Sequence, residues 1–167
     1  MPAVGQSVPR KDAWDKVTGK TQYVDDLSAP GLLYAATVRS PVAYGKLNGL
    51  DTAAAATFPG VVRILTAKDI PGRNINPLVL DDQVFLAETE VRFWGEPIAL
   101  VVAETSEAAY AAAELVKADI TPMTPVLSIR ESLKPDAPRL YKTDNVFSSY
   151  TIKRGDTAAG FAKAAKI

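Results

Sequence analysis

The chain has no cysteine and no histidine. Without them, no disulfide, thiolate zinc site, cysteine-held iron–sulfur cluster, Ser–His–Asp triad or Cys–His pair can form within it. Net charge is missing as well: 19 basic and 19 acidic residues cancel. No basic stripe points to nucleic acid, and no juxtamembrane cluster points to lipid. Glycines such as Gly5, Gly19, Gly31 and Gly45 are scattered, so there is no glycine-rich loop to cradle a phosphate. The uninterrupted apolar run at 98–103 suits one strand and is too short for a membrane span. Residues 1–9 lack the apolar stretch of a secretory signal, and with the lack of cysteine this sets the expectation of a cytoplasmic protein.

What is present reads as one domain, or one domain with a terminal arm, at 167 residues and 47% apolar content. The run 98–103 alternates in size: Ile98, Leu100 and Val102 fall on one face, and the smaller Ala99, Val101 and Ala103 on the other. Ser106 is the expected cap of a helix over 107–117, with Ala108, Ala112, Leu115 and Val116 as its apolar stripe. Glu107 in the first turn and Lys117 in the last both suit the helix dipole. Small residues on that stripe match the small face of the strand, which predicts close packing of helix on sheet.

Elsewhere, strands are expected at 21–24, 32–39, 46–50, 61–65 and 91–94, and a last one over 118–125. The last carries two prolines, which cannot donate to a ladder, so it belongs at a sheet edge. Asp12 is the expected cap of a short helix through Lys16, and Asp51 or Thr52 that of an alanine helix over 53–57. Thr66 and Asp69 have the spacing of a capping box. A short helix is expected over 128–133, loops over 73–88 and 134–150, and an Asp156-capped helix in the tail. Short strands mixed with short helices, without regular βαβ spacing, predict an α+β fold with a mainly antiparallel sheet.

Chemistry-bearing groups are sparse. Glu96, in the corner Gly95-Glu96-Pro97, suits a base or an interface contact, or simply a tight turn before a strand. Asp25-Asp26 and Asp81-Asp82 are paired carboxylates without further acidic residues at metal-loop spacing, which reads as solvated turns. Arg154-Gly155-Asp156 matches an adhesion tripeptide, but its Asp is better explained as a helix cap. Trp14, Phe93 and Trp94 are candidates for a binding surface. On a strand, the adjacent Phe93 and Trp94 would point to opposite sides, one into the core and the other towards a partner. Composition and periodicity alone give a globular α+β domain and no reaction.

Four stretches, in this order, carry a resemblance: VGQSVPRKDAWDKVTGKTQYVDDL at 4–27, LLYAATVRSP at 32–41, FPGVVRILTAKDIPG at 58–72 and VRFWGEPIALVVAET at 91–105. Together they resemble the N-terminal part of the large, molybdenum-binding subunit of the xanthine dehydrogenase and aldehyde oxidase family, namely its α/β-hammerhead domain. The tail RGDTAAGFAKAAK, 154–166, resembles the linker leading into that family's catalytic region. Two places depart from the family pattern. Val42-Ala43-Tyr44 stands where many members carry His-Ala-His, and DITPMTP at 119–125 replaces a more acidic strand.

The resemblance implies an arm over 1–27, the hammerhead domain over 28–133, and a linker over 134–167 towards a molybdopterin-binding catalytic domain, in the same or a separate chain. It implies a holoenzyme that hydroxylates aldehydes, purines or other N-heterocycles, with oxygen from water and electrons passed to iron–sulfur and flavin. The molybdopterin-type cofactor, the 2Fe-2S clusters and FAD would lie on other domains or subunits. No catalytic, cofactor-binding or metal residue is carried over to this chain, and neither nucleic acid nor membrane is implied as a partner. Its own share would be structural, with Arg92, Phe93, Trp94 and Glu96 as the expected docking surface. The alternative is a free-standing binding module with the hammerhead fold and no enzyme attached.

Overall fold

The apolar run forms the middle of a sheet. In the computed structural model, which describes residues 4–78, 81–140 and 144–165, it lies within a strand over Pro97–Ala103. The strands in chain order are β1 Tyr34–Arg39, β2 Gly45–Asp51, β3 Val61–Leu65, β4 Glu90–Val91, β5 Pro97–Ala103 and β6 Lys117–Pro122. They make two three-stranded sheets, ordered β1-β5-β3 and β4-β2-β6. The β3–β5 and β2–β4 pairs are antiparallel. The helices are short: α1 Ala13–Val17, α2 Ala53–Ala56, α3 Ser106–Ala113, α4 Ile129–Ser132 and α5 Thr157–Lys163. This is the expected α+β architecture. Among the described residues no helix is long and apolar enough to cross a membrane.

The chain divides into two units. The first takes the residues through Val38, Asp51–Leu65 and Ala99–Lys117. Here Val61 pairs with Ala103 and Ile64 with Val101, with a bulge between Val61 and Arg63. The core is small-sided. Ala36, Ala103 and Ala109 are buried together, with Val61, Ala108 and Ala113 packed against them. Ala55 of α2 and Ala112 of α3 are fully buried as well. Alanine faces let a helix backbone approach a sheet closely, as the paired small faces predict.

Helix α3 corrects the expected boundaries. Thr105, not Ser106, is the cap: its backbone is extended and its hydroxyl oxygen accepts the Ala108 N–H at 3.1 Å, while Ser106 is already helical. The helix ends at Ala113 rather than 117. Its last turn tightens, with Leu115 and Val116 N–H donating to Ala112 and Ala113 three residues back, and Lys117 enters β6. The buried stripe is therefore Ala109 and Ala112, with Leu115 left exposed.

The arm differs too. Residues 21–24 form no strand. Val24–Asp26 is a 3-10 turn, closed by the Asp26 carboxylate accepting the Tyr23 N–H at 2.8 Å. Asp12 stands at the cap position of α1, but its carboxylate is spent on Arg10 and makes no capping bond.

The second unit takes Arg39–Leu50, Thr66–Ile98 and the residues from Ala118 onward. Gly45 pairs with Val91 and Lys46 with Glu90. β6 lies at the sheet edge, as expected, but it ends at Pro122 rather than 125, so that only one of the two prolines falls within it. A side chain at Gly45 would place its Cβ 2.7 Å from Ile120 Cγ2 and 2.8 Å from the Thr121 carbonyl oxygen, so only glycine fits. The capping box at Thr66 and Asp69 forms, with the Thr66 N–H donating to Asp69 at 2.9 Å. Ser128 caps α4 and Asp156 caps α5, each accepting an N–H three residues on.

The expected loop over 73–88 is more ordered than its polarity suggests. Asn74 donates to the Leu86 carbonyl at 2.6 Å and accepts from the Phe85 and Leu86 N–H groups. Residues 79–80 of this loop, 141–143 of the later loop and 166–167 of the tail fall outside the described residues.

Two substitutions test this packing. Ala112→Leu should overpack α3 and lower stability by about 1–3 kcal/mol; an unchanged denaturation midpoint would show that this face is not close-packed. Gly45→Ala should cost at least as much, because a backbone oxygen stands in the way, and it should appear as a loss of chemical-denaturant resistance.

Candidate docking surface

The four expected residues lie between β4 and β5, in the second unit. The expected strand over 91–94 is only two residues long, Glu90–Val91, and Phe93 and Trp94 fall in the turn that follows. The alternation of a strand therefore does not apply, and neither aromatic enters the core. Phe93 is 48% exposed and Trp94 71% exposed.

The turn is fastened at several points. Gly95 has φ +81°, a left-handed conformation that glycine adopts without strain. Its N–H donates to the Ser40 carbonyl at 3.0 Å, and the Ser40 N–H donates to the Glu96 carbonyl at 2.9 Å. The Arg39 guanidinium donates to the Gly95 carbonyl at 2.9 Å. Ser40 is itself buried, and its hydroxyl donates to the Val42 carbonyl at 2.8 Å.

Glu96 is buried, at 3% exposure, and its carboxylate accepts the Arg92 N–H. Burial pushes its carboxyl above the ordinary value of 4.5. The Arg92 N–H and guanidinium pull the other way, Glu90 adds to the rise, and the Phe93 N–H lowers it again. Arg92 is half-buried, and its guanidinium donates to Glu90 at 2.8 Å. Thus Phe93 and Trp94 form the outer face, while Glu96 and Arg92 stand behind them. Sequence reasoning missed Arg39, Ser40 and Asn74, whose roles rest on pairings with residues distant in sequence.

A cavity of about 310 Å³ in the same unit is lined by Arg73, Asn74, Val84, Ala87, Glu90 and Arg92, among others. Its two guanidiniums already have carboxylate partners, Arg73 with Asp81 and Arg92 with Glu90. Asp26 is spent on the Tyr23 N–H and Asp81 on Arg73, so one aspartate of each pair acts as a local fastener. Among the described residues no group of three or more carboxylates is able to hold a metal ion. Trp14 belongs to the first unit, exposed on α1, a helix with no buried residue.

Residues 18–123 match the family described as aldehyde oxidase and xanthine dehydrogenase, a/b hammerhead domain. A probable xanthine dehydrogenase subunit from Bacillus subtilis is 38% identical over 91% of this chain and 20% of its own length. The nicotinate dehydrogenase large molybdopterin subunit of Eubacterium barkeri is 27% identical over 95% of this chain and 37% of its own. Among solved structures, the aldehyde oxidoreductase from Desulfovibrio gigas superposes with a TM-score of 0.85 at 34% identity, covering 95% of this chain and 19% of that one. The chain therefore spans between about a fifth and two fifths of the length of these relatives.

The Glu96 environment predicts a pH effect of definite sign. Between 4.5 and its raised folded value, the folded chain binds more protons at this site than the unfolded chain. Its contribution to stability is therefore complete below 4.5 and is lost as pH rises through the folded value. Glu96→Gln should flatten that part of the stability profile, as read from denaturation midpoints against pH. An identical profile in the variant would show that the site does not titrate as described.

Proposed function

Because the chain belongs to the aldehyde oxidase and xanthine dehydrogenase family by its a/b hammerhead domain, we propose that it serves as the structural, docking domain of a molybdenum hydroxylase. Residues 1–27 act as an arm, 28–133 as the hammerhead domain and 134–167 as the segment towards the molybdopterin-binding catalytic region. The partner is that region of the large subunit, and the enzyme works in the cytoplasm. Relatives named for xanthine, an aldehyde and nicotinate support a holoenzyme that acts on aldehydes, purines or other N-heterocycles. A relative named as a molybdopterin subunit supports the cofactor. That cofactor supplies the oxidative hydroxylation, with 2Fe-2S and FAD modules taking the electrons.

This chain's own residues contribute no reacting group. Their work is binding. The observation that carries the reading is the display of Phe93 and Trp94 side by side on a fastened turn, in a chain whose relatives continue well beyond it. Large aromatics on a rigid turn are the usual anchors of an interface.

Trp94→Ala should weaken association with the molybdopterin-binding region, produced as a separate chain, by at least about thirtyfold, the range of an interface hot spot. Phe93→Ala should weaken it less, since Phe93 is nearer half-buried. Titration calorimetry reads both, and wild-type affinity in Trp94→Ala would remove this turn from the interface.

A further inference from the structure

We propose that Glu96 is the positioning residue of the docking surface: its buried carboxylate clasps the backbone at Arg92 and so presets the turn that presents Phe93 and Trp94. This rests on the docking reading above and deepens it, because it moves Glu96 from the contact face to the support behind it.

The case starts from what a carboxylate costs in that place. Glu96 is 3% exposed, and taking a carboxylate out of water is unfavourable unless its oxygens are used. An apolar side chain of similar size would fill the space without that cost. What it would lack is an acceptor for the Arg92 N–H, four residues back. Side-chain acceptors spent on nearby backbone N–H groups are the ordinary device for fixing a local turn. The charged groups facing this carboxylate are the Arg92 guanidinium, drawn towards Glu90, and Glu90 itself. The Arg39 guanidinium is spent on the Gly95 carbonyl.

Most of the other fasteners hold the opposite end of the turn, though the Glu96 N–H also donates to the Phe93 carbonyl at 3.2 Å. Those from Ser40 and Arg39 grip Gly95 and the main chain of Glu96, where the strand begins. They do not depend on which side chain stands at 96. The carboxylate grips the entry at Arg92, next to Phe93. Removing it leaves the backbone bonds of the turn in place but takes away the acceptor of the Arg92 N–H, so the entry loosens and more of the ordering of the aromatics falls at the moment of binding. Preorganised contacts avoid that cost, and their loss lowers affinity without removing any contact atom.

The test follows the Arg92 amide by NMR in the 167-residue chain. In the wild type its proton resonance should titrate with Glu96, with a midpoint above 4.5, and its hydrogen exchange should be slowed. Glu96→Gln should abolish the titration and keep the slowed exchange. Glu96→Ala should speed exchange at Arg92 by about tenfold or more, with the Val101 and Ala103 amides of β5 as unchanged references. Glu96→Asp keeps the charge, shortens the reach by one methylene and should behave like Ala; it serves if the Ala variant does not fold.

Affinity for the molybdopterin-binding region should fall by about tenfold in Glu96→Ala and stay within about twofold in Glu96→Gln. Wild-type exchange at Arg92 in both Ala and Asp variants would overturn the clasp. A freed Arg92 amide with undiminished docking, where Trp94→Ala does weaken docking, would overturn the positioning role. A freed amide with both Trp94→Ala and Glu96→Ala docking like the wild type would instead overturn the docking reading.

Discussion

The burial of one whole face of β5, Ala99, Val101 and Ala103, is the constraint on which the rest of the structure depends. Ile98, Ala99, Val101 and Ala103 have no measurable exposure, and the strand is the middle member of its sheet. A central strand with one face fully buried, and Ile98 buried on the other, tolerates little in register or volume. Because Ala99, Val101 and Ala103 are small, what lies over them must be small too. Ala109 of α3, buried together with Ala103 and Ala36, answers that requirement at the end of the strand, and the Thr105 cap sets where the helix begins.

The same strand fixes the start of the surface. A chain entering β5 through Pro97 must turn immediately before it, and Gly95 supplies the left-handed conformation that the turn needs. Glu96 and Ser40 are the two buried polar residues next to that entry, and both are satisfied by backbone partners. Interior polar groups with complete hydrogen bonding specify one geometry where apolar packing alone would tolerate several. A rigid corner carrying two exposed aromatics supports the docking role proposed for it.

Much of this was legible in the sequence. The alternation at 98–103, the edge position of the strand ending at Pro122 and the local caps at Thr66 and Asp156 each depend on residues a few positions apart, and each formed as expected. The resemblance, carried by four ordered stretches, agreed with the family that matches residues 18–123. The misreadings have physical causes. Thr105 and Ser106 are both good caps, and only the backbone conformation chooses between them. RFW at 92–94 reads as strand by propensity, but the Arg92 N–H is taken by a side chain four residues on. The burial of Ser40 follows from pairing with Gly95 and Glu96, about fifty-five positions away, which no local pattern announces.

The most direct test of the docking role is a mass and molybdenum analysis of the native assembly purified through this sequence. The expected result is that it co-purifies, in one polypeptide or in a stoichiometric complex, with a molybdopterin-binding region identified by mass and with bound molybdenum. Recovery of the chain alone and free of molybdenum, from cells that make the cofactor, would contradict its place in a molybdenum hydroxylase.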